Sequence, residues 1–434
     1  MKKNLLLFAF ALGAITANAQ DGLEMDGGFY WKYNDADKTA TVISKERWHF
    51  HGEEQAFGNC HCYRDDVVIP DKAPNGYTVT AIGEGAFNSC DSLTSVTLPK
   101  TLKYIGELAF QLCEKLKEIR IPSSVEHLDH GCFNGAGLEK LYIEDSADPI
   151  KIGSSYMVYG SLFYGIDALR YAYVGRNFTV DNPSAEETEG PKGLFYACEN
   201  IEEVYFSTNV TQLHEGEFWG CKNLKTASVG SISVIPNNCF ENCESLTKMN
   251  CVTKLLEGIG NYAFANTTLL GKGITLNLDA FPNLTAIGEG AYMQSGAVKA
   301  VVPSKVQTVG DAAFGFMSDL TELHSLAVVP PTCSVFGPVS EDTYQTCNLY
   351  VPKGSVDAYK VADGWSQFKN IMPMIIKGDS NGDNTVNAAD IVEVVNAIMG
   401  NPSEGFDESA ADVNGDGVVN AADIVAIVNI IMKV

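Results

Sequence analysis

The stretch Ala86-Phe87-Asn88-Ser89-Cys90-Asp91-Ser92-Leu93-Thr94-Ser95-Val96-Thr97-Leu98-Pro99 returns 23 residues later as Ala109-Phe110-Gln111-Leu112-Cys113-Glu114-Lys115-Leu116-Lys117-Glu118-Ile119-Arg120-Ile121-Pro122. A period of this length marks a stacked solenoid rather than a closed globule. Apolar Val96 and Leu98 alternate with polar Ser95 and Thr97, which predicts a short strand with Val96 and Leu98 turned inward. Pro99 ends it, having no N–H to give to a ladder. Ala86-Phe87 falls on the return side of the coil. One such coil cannot bury its own apolar face, so neighbours above and below must cover it.

The marker aromatic recurs at Phe133, Phe163, Phe195, Phe218, Phe240, Phe264, Tyr292 and Phe314. Most steps are 22 to 24 residues, but those into Phe163, Phe195 and Tyr292 are 30, 32 and 28. Extra residues in a solenoid go into loops, so these coils are expected to carry protrusions. The largest, 179–192, holds Asp181, Glu186, Glu187 and Glu189. It is either a binding loop or a merely solvated one.

Residues 20–76 are expected to form a β cap over the open end, with strand-like pieces at 39–43 and 66–70. The same segment carries His49, His51, Cys60 and Cys62. These are zinc-donor types, but their spacing matches no finger pattern, and an insertion loop is the alternative. Cys90, Cys113, Cys198, Cys221 and Cys243 each follow a marker Phe by three residues and read as small buried hydrophobes. Disulfides between in-register parallel neighbours would have poor geometry. Cys333 and Cys347 lie outside that register, where an oxidising compartment would permit a bridge.

Composition sets limits on partners. The 434 residues carry a formal charge of −24, which argues against nucleic-acid backbones and anionic membrane surfaces. Lys2 and Lys3, an apolar run over 5–15 and Ala17-Asn18-Ala19 read as a secretory signal cleaved near Ala19. No later apolar run is long enough to span a bilayer. A secreted or cell-surface, monomeric protein is expected.

The tail contains the strongest motif. Asp379-Ser380-Asn381-Gly382-Asp383-Asn384-Thr385-Val386-Asn387-Ala388-Ala389-Asp390 is matched 33 residues later by Asp412-Val413-Asn414-Gly415-Asp416-Gly417-Val418-Val419-Asn420-Ala421-Ala422-Asp423. Each has the spacing of a twelve-residue calcium loop, with side-chain oxygens at positions 1, 3, 5, 9 and 12 and a carbonyl at 7. The expected ligands are Asp379, Asn381, Asp383, Thr385, Asn387 and Asp390 for one ion, and Asp412, Asn414, Asp416, Val418, Asn420 and Asp423 for a second. Gly417 permits the sharp turn at position 6, where the first copy has Asn384. An amphipathic helix follows each loop, with Ile391, Val394, Val395 and Ile398 on one apolar face and Ile424, Ile427, Val428 and Ile431 on the other. No helix precedes the first loop.

The Ile-Gly-x-x-Ala-Phe run at 82–87 and 105–110, the Cys-x-x-Leu after it and the strand ending in Pro resemble the BspA-like leucine-rich repeats of secreted bacterial proteins. The resemblance covers 77–325, and 326–376 looks like the closing segment of such an array. Residues 377–434 resemble a type I dockerin, with Asp rather than Glu at loop position 12. The expected fold is a mainly β solenoid of short strands, turns and short helical pieces, plus a small all-α dockerin with two calcium loop–helix motifs. The repeat family implies adhesion to an unknown protein or glycan. The dockerin implies calcium and a cohesin-like partner, met by loop positions 10 and 11: Ala388, Ala389, Ala421 and Ala422. These lack the hydroxyl pair common in clostridial members.

No Gly-x-Ser-x-Gly, His-Glu-x-x-His or phosphate loop occurs. The repeats and their caps occupy nearly all the chain before the tail, so a non-catalytic protein is expected. Two functional readings remain: a secreted binding or adhesion protein, and an accessory component of an extracellular polysaccharide-degrading complex.

Overall fold

The computed structural model describes residues 26, 28–44, 65–129, 131–153, 163, 166–181, 193–383 and 385–432. The secretory-signal segment, His49, His51, Cys60, Cys62, Asn384 and residues 182–192 lie outside these.

Alternating sequences such as Glu-Ile-Arg-Ile become strands because one face can be buried and the other wetted. In Glu118–Ile121 the two isoleucines are buried and Glu118 and Arg120 exposed. Six such strands run parallel, in the order Lys248–Asn250, Thr226–Val229, Glu203–Phe206, Tyr171–Val174, Lys140–Ile143 and Glu118–Ile121. A second side of the coils forms a seven-stranded sheet. It begins with an antiparallel hairpin, Tyr30–Asn34 with Thr39–Ile43, and continues in parallel through Thr78–Ile82 to Phe178–Asp181. Four- and five-stranded parallel sheets repeat this arrangement in the later coils. The result is a β-solenoid.

The marker aromatics form one continuous ring stack inside it. Nine successive contacts, from Phe87–Phe110 to Tyr292–Phe314, have centroid separations between 5.0 and 6.0 Å and near-parallel rings. The three long steps do not interrupt it: Phe133–Phe163 is 6.0 Å, Phe163–Phe195 is 5.6 Å and Phe264–Tyr292 is 5.0 Å. The turn carrying each ring is also tied to the next coil. Phe87 N–H donates to Ala109 O at 2.8 Å, and Phe240 N–H to Ala263 O at 2.7 Å.

At most of the described rings the backbone is left-handed on both sides. Two residues after the ring stand Ser89, Leu112, Ala197, Asn242, Asn266, Gln294 and Phe316, and two before it Leu108, Asn238, Tyr262 and Ala312, all with positive φ. Glycine takes the same places at Gly85, Gly131, Gly135, Gly216, Gly220 and Gly290. A left-handed non-glycine residue costs about 1–2 kcal/mol, so stacking and ladder bonds must hold these turns in place.

The in-register cysteines are buried free thiols. Each of four donates to a ring-residue carbonyl one coil back: Cys113 to Phe87 at 3.0 Å, Cys198 to Phe163 at 3.3 Å, Cys221 to Phe195 at 3.1 Å and Cys243 to Phe218 at 3.1 Å. Cys333 and Cys347 are also free thiols, so the bridge left open by the sequence does not form. Cys347 is buried at the start of the strand Asn348–Val351, while half-buried Cys333 lies against Gly364. The expected protrusion starts later than 179, because Thr179 and Asp181 belong to the strand Phe178–Asp181, paired with Ile150–Gly153.

At the far end Tyr359 and Trp365 are fully buried. Tyr359 Oη bonds Ser325 Oγ at 2.7 Å, and Trp365 Nε1 donates to Pro331 O at 2.8 Å. One core runs from Phe29 to Phe368, and a second, separate one consists of Val394, Ala411 and Ile427.

Candidate functional site

The small second core belongs to the tail, whose two halves are structural copies. The helices Ala388–Ile398 and Ala421–Met432 each bury one equivalent apolar residue, Val394 and Ile427. Ala411, from the short helix Glu408–Ala411, lies between them in that core. Upstream of the first loop the strand Asn370–Pro373 is extended, as the sequence indicated. The apolar faces are narrower than expected. Ile391, Ile424 and Val428 are half-buried, whereas Val395, Ile398 and Ile431 are exposed. Two short helices meeting along one seam cover only part of each face.

Each loop closes on its own carboxylates and amides. In the first, Asp379 Oδ1 and Asn381 Oδ1 accept from Asp383 N at 3.0 and 2.9 Å, and Asp383 Oδ1 accepts from Thr385 N at 2.9 Å. In the second, Asp412 Oδ1 accepts from Gly415 N at 2.9 Å, Asn414 Oδ1 from Asp416 N at 2.9 Å and Asp416 Oδ1 from Val418 N at 2.9 Å. Gly382, Gly415 and Gly417 all have positive φ, which lets the chain turn this tightly.

The Asn-Ala-Ala-Asp ending of each loop also starts the helix. Asn387 Oδ1 accepts from Ala389 N at 2.8 Å, while Asp390 Oδ2 accepts from Asn387 N at 2.8 Å, a reciprocal capping box. Asn420 and Asp423 repeat it at 2.8 and 2.9 Å. Asp390 and Asp423 are fully buried. Burial alone would raise the Asp423 carboxyl, but the N–H groups of Asn420, Asn414, Val413 and Asp423 itself outweigh it and hold the group below the usual carboxylate range. A buried carboxylate kept ionised offers the negative charge and hard oxygen that a divalent cation takes.

The donor chemistry of both loops therefore suits calcium: all oxygen, alternately Asp and Asn, with the carbonyls of Thr385 and Val418 taking position 7. Among the described residues no three His, Cys, Asp or Glu side chains gather as a ready-made cluster. Each loop has only three acids; asparagines and backbone oxygens make up the rest of its donors. Ala388, Ala389, Ala421 and Ala422 are all exposed, on the first turn of their helices.

Lys353 of the solenoid's closing segment pairs with Asp407 at 3.1 Å, beside the first loop. Sequence reasoning missed this contact, because the pair is joined only in the fold. Among the described residues, no helix is long and apolar enough to cross a membrane.

Comparison with known proteins agrees with this architecture. A family model described as BspA type leucine rich repeat region matches in six copies over 53–161, 191–283 and 272–329, more than half of the chain. One described as dockerin type I domain matches 377–432. Type I dockerin domains bind calcium and dock onto cohesins, and both families are typically non-catalytic modules of extracellular or surface proteins. No curated protein matches.

Among solved structures, a leucine-rich repeat protein of T. pallidum is 18% identical with a TM-score of 0.35, covering 57% of this chain and 91% of that one. A leucine-rich cell surface protein from Faecalibacterium prausnitzii A2-165 is 15% identical with a TM-score of 0.32, covering 81% and 94%. A leucine-rich repeat protein from Bacteroides ovatus is 18% identical with a TM-score of 0.27, covering 82% and 100%. The chain belongs to the BspA type leucine-rich repeat family and carries a type I dockerin domain at its C-terminal end.

Proposed function

We propose that this is a secreted, non-catalytic binding protein in which the solenoid presents a surface to a protein partner and the tail attaches it to a cohesin. The observation that carries the reading is the duplicated loop–helix unit: two equivalent oxygen-donor loops, each placing an exposed Ala-Ala pair on the first turn of its helix. In this reading Asp379, Asn381, Asp383, Asn387 and Asp390, with the Thr385 carbonyl, hold one calcium ion. Asp412, Asn414, Asp416, Asn420 and Asp423, with the Val418 carbonyl, hold another. Bound ions would fix loops whose folding the small core alone supports weakly. Docking by the tail would raise the effective concentration of the solenoid at its site of attachment.

The test is capture of the full chain by a panel of immobilised cohesin domains. Capture should occur in calcium and vanish in chelator. The double substitution Ala389→Glu with Ala422→Glu should abolish it while leaving the tail folded, because an acidic side chain is tolerated in a helix's first turn. Capture that survives both chelator and the double substitution would refute the reading.

A further inference from the structure

The wet face of the six-stranded sheet carries an aromatic column that the core does not need. Parallel register places Arg120, Tyr142, Tyr173 and Tyr205 side by side across four successive coils. Their neighbours along each strand, Ile119, Leu141, Ala172 and Val204, are the buried ones. The Arg120 guanidinium lies over the Tyr142 ring, 4.4 Å from its centroid. Tyr173 and Tyr205 stack at 5.7 Å with an interplanar angle of 8°.

Polar groups hold this column in place. Tyr173 Oη donates to Asp145 Oδ2 at 2.8 Å, and Asn209 Nδ2 donates to Asp145 Oδ1 at 3.1 Å. Together with Ser207, these bonds keep the Asp145 carboxyl below its ordinary range, so it is a carboxylate at neutral pH. Arg120, Tyr142, Glu144, Asp145 and Tyr173 line an open depression of about 520 Å³.

The column ends at Tyr205. The next residue in register is Ser228, followed by Asn250. A serine side chain is too short to cover a phenol ring, and Tyr205 is 50% exposed. Tyr173 already fixes the ring's position, so little ordering entropy is left to lose on binding. Rigid tyrosines of this kind act as anchors at protein interfaces.

The other end of the column shows which chemistry its rings accept. A guanidinium stacks flat on an aromatic face while its N–H fork remains free to meet a carboxylate, which an ammonium cannot do. Carboxylates flank the tyrosines at Glu203, Asp145 and Glu144. The chain's formal charge of −24 draws basic segments and repels acidic ones.

We propose that the Tyr142–Tyr173–Tyr205 column is the solenoid's docking surface for a basic protein segment, which lays an arginine side chain on the open face of Tyr205. The proposal rests on the reading of the solenoid as a binding surface and names its partner's chemistry.

The test uses the full chain in calcium and fluorescence anisotropy with three labelled decapeptides, alternating Gly with Arg, Lys or Glu. The arginine peptide should bind, the lysine peptide about tenfold more weakly and the glutamate peptide not at all. Tyr205→Ala should weaken the arginine peptide about tenfold, whereas Tyr205→Phe, which keeps the ring, should leave it unchanged. Far-UV circular dichroism should match wild type in both variants, since the side chain is outside the core.

Equal binding of arginine and lysine peptides, unmoved by Tyr205→Ala, would mean charge attraction only and would overturn the proposal. So would failure of the arginine peptide to bind, with or without Tyr205-dependent binding of a neutral oligosaccharide such as cellohexaose. Calcium-dependent cohesin capture by the same preparation reports separately on the tail. If capture succeeds and the peptides fail, only the docking surface is lost.

Discussion

Replacing Phe218 by Ala removes a ring from the middle of the stack. The side chain is fully buried and contacts Phe195 at 5.9 Å, Phe240 at 5.0 Å and Phe206 at 5.6 Å. A buried Phe→Ala change costs about 3–5 kcal/mol, depending on how far the site collapses. Here collapse is restricted, because ladder bonds set the height of each coil: Phe218 N–H to Cys239 O at 2.8 Å and Phe240 N–H to Ala263 O at 2.7 Å. The loss should therefore be about 4–5 kcal/mol, including about 0.5–1.5 kcal/mol for each aromatic pair broken. Solenoid stability is close to a sum of coil and neighbour terms, so the damage should be local. Trp219, whose ring lies 4.8 Å from Tyr196, reports on this coil by fluorescence during a urea titration. Phe316→Ala is the control: its side chain is exposed, and the change should stay within about 0.5 kcal/mol. If Phe218→Ala shifts the Trp219 transition no more than Phe316→Ala does, the ring stack is not what holds the coils together.

Other outcomes follow from the same geometry. Ala197 has a φ of +58° where Gly220 stands one coil later, so Ala197→Gly should stabilise by about 0.5–1 kcal/mol in the same titration; destabilisation would mean that the turn is not strained. Arg176 is buried and donates to the carbonyls of Val125 at 2.7 Å, Ser123 at 3.2 Å and Pro122 at 3.3 Å. Arg176→Ala should cost at least about 3 kcal/mol by stranding those acceptors; a neutral result would show that they find other donors. Burial pushes the Cys198 thiol up to about 12, so at pH 8 it should resist a thiol reagent in the folded chain and react promptly in urea, as read by mass spectrometry.

The parts legible in the sequence were those in which one residue type repeats at one spacing. The ring register could be followed through insertions because an aromatic stands at every coil, and the tail loops because Asp and Asn alternate twice at identical offsets. The left-handed turns were hidden where Leu108, Leu112, Ala197 and Phe316 replace glycine or asparagine; there the stack overrides local preference. Arg176 and the Tyr142–Tyr173–Tyr205 column were hidden for another reason. Both depend on which residues face each other across coils of unequal length, and that pairing exists only once the coils have stacked. The tail helices were misjudged in one respect. Val395, Ile398 and Ile431 follow the helical period but find no neighbour to cover them.

Calcium titration of the full chain by isothermal calorimetry measures the tail most directly. Two ions should bind, and Asp412→Ala should remove one of them while leaving the first loop's ion in place. Binding of no calcium, or a stoichiometry unchanged by Asp412→Ala, would contradict the assignment of these loops as the ions' sites.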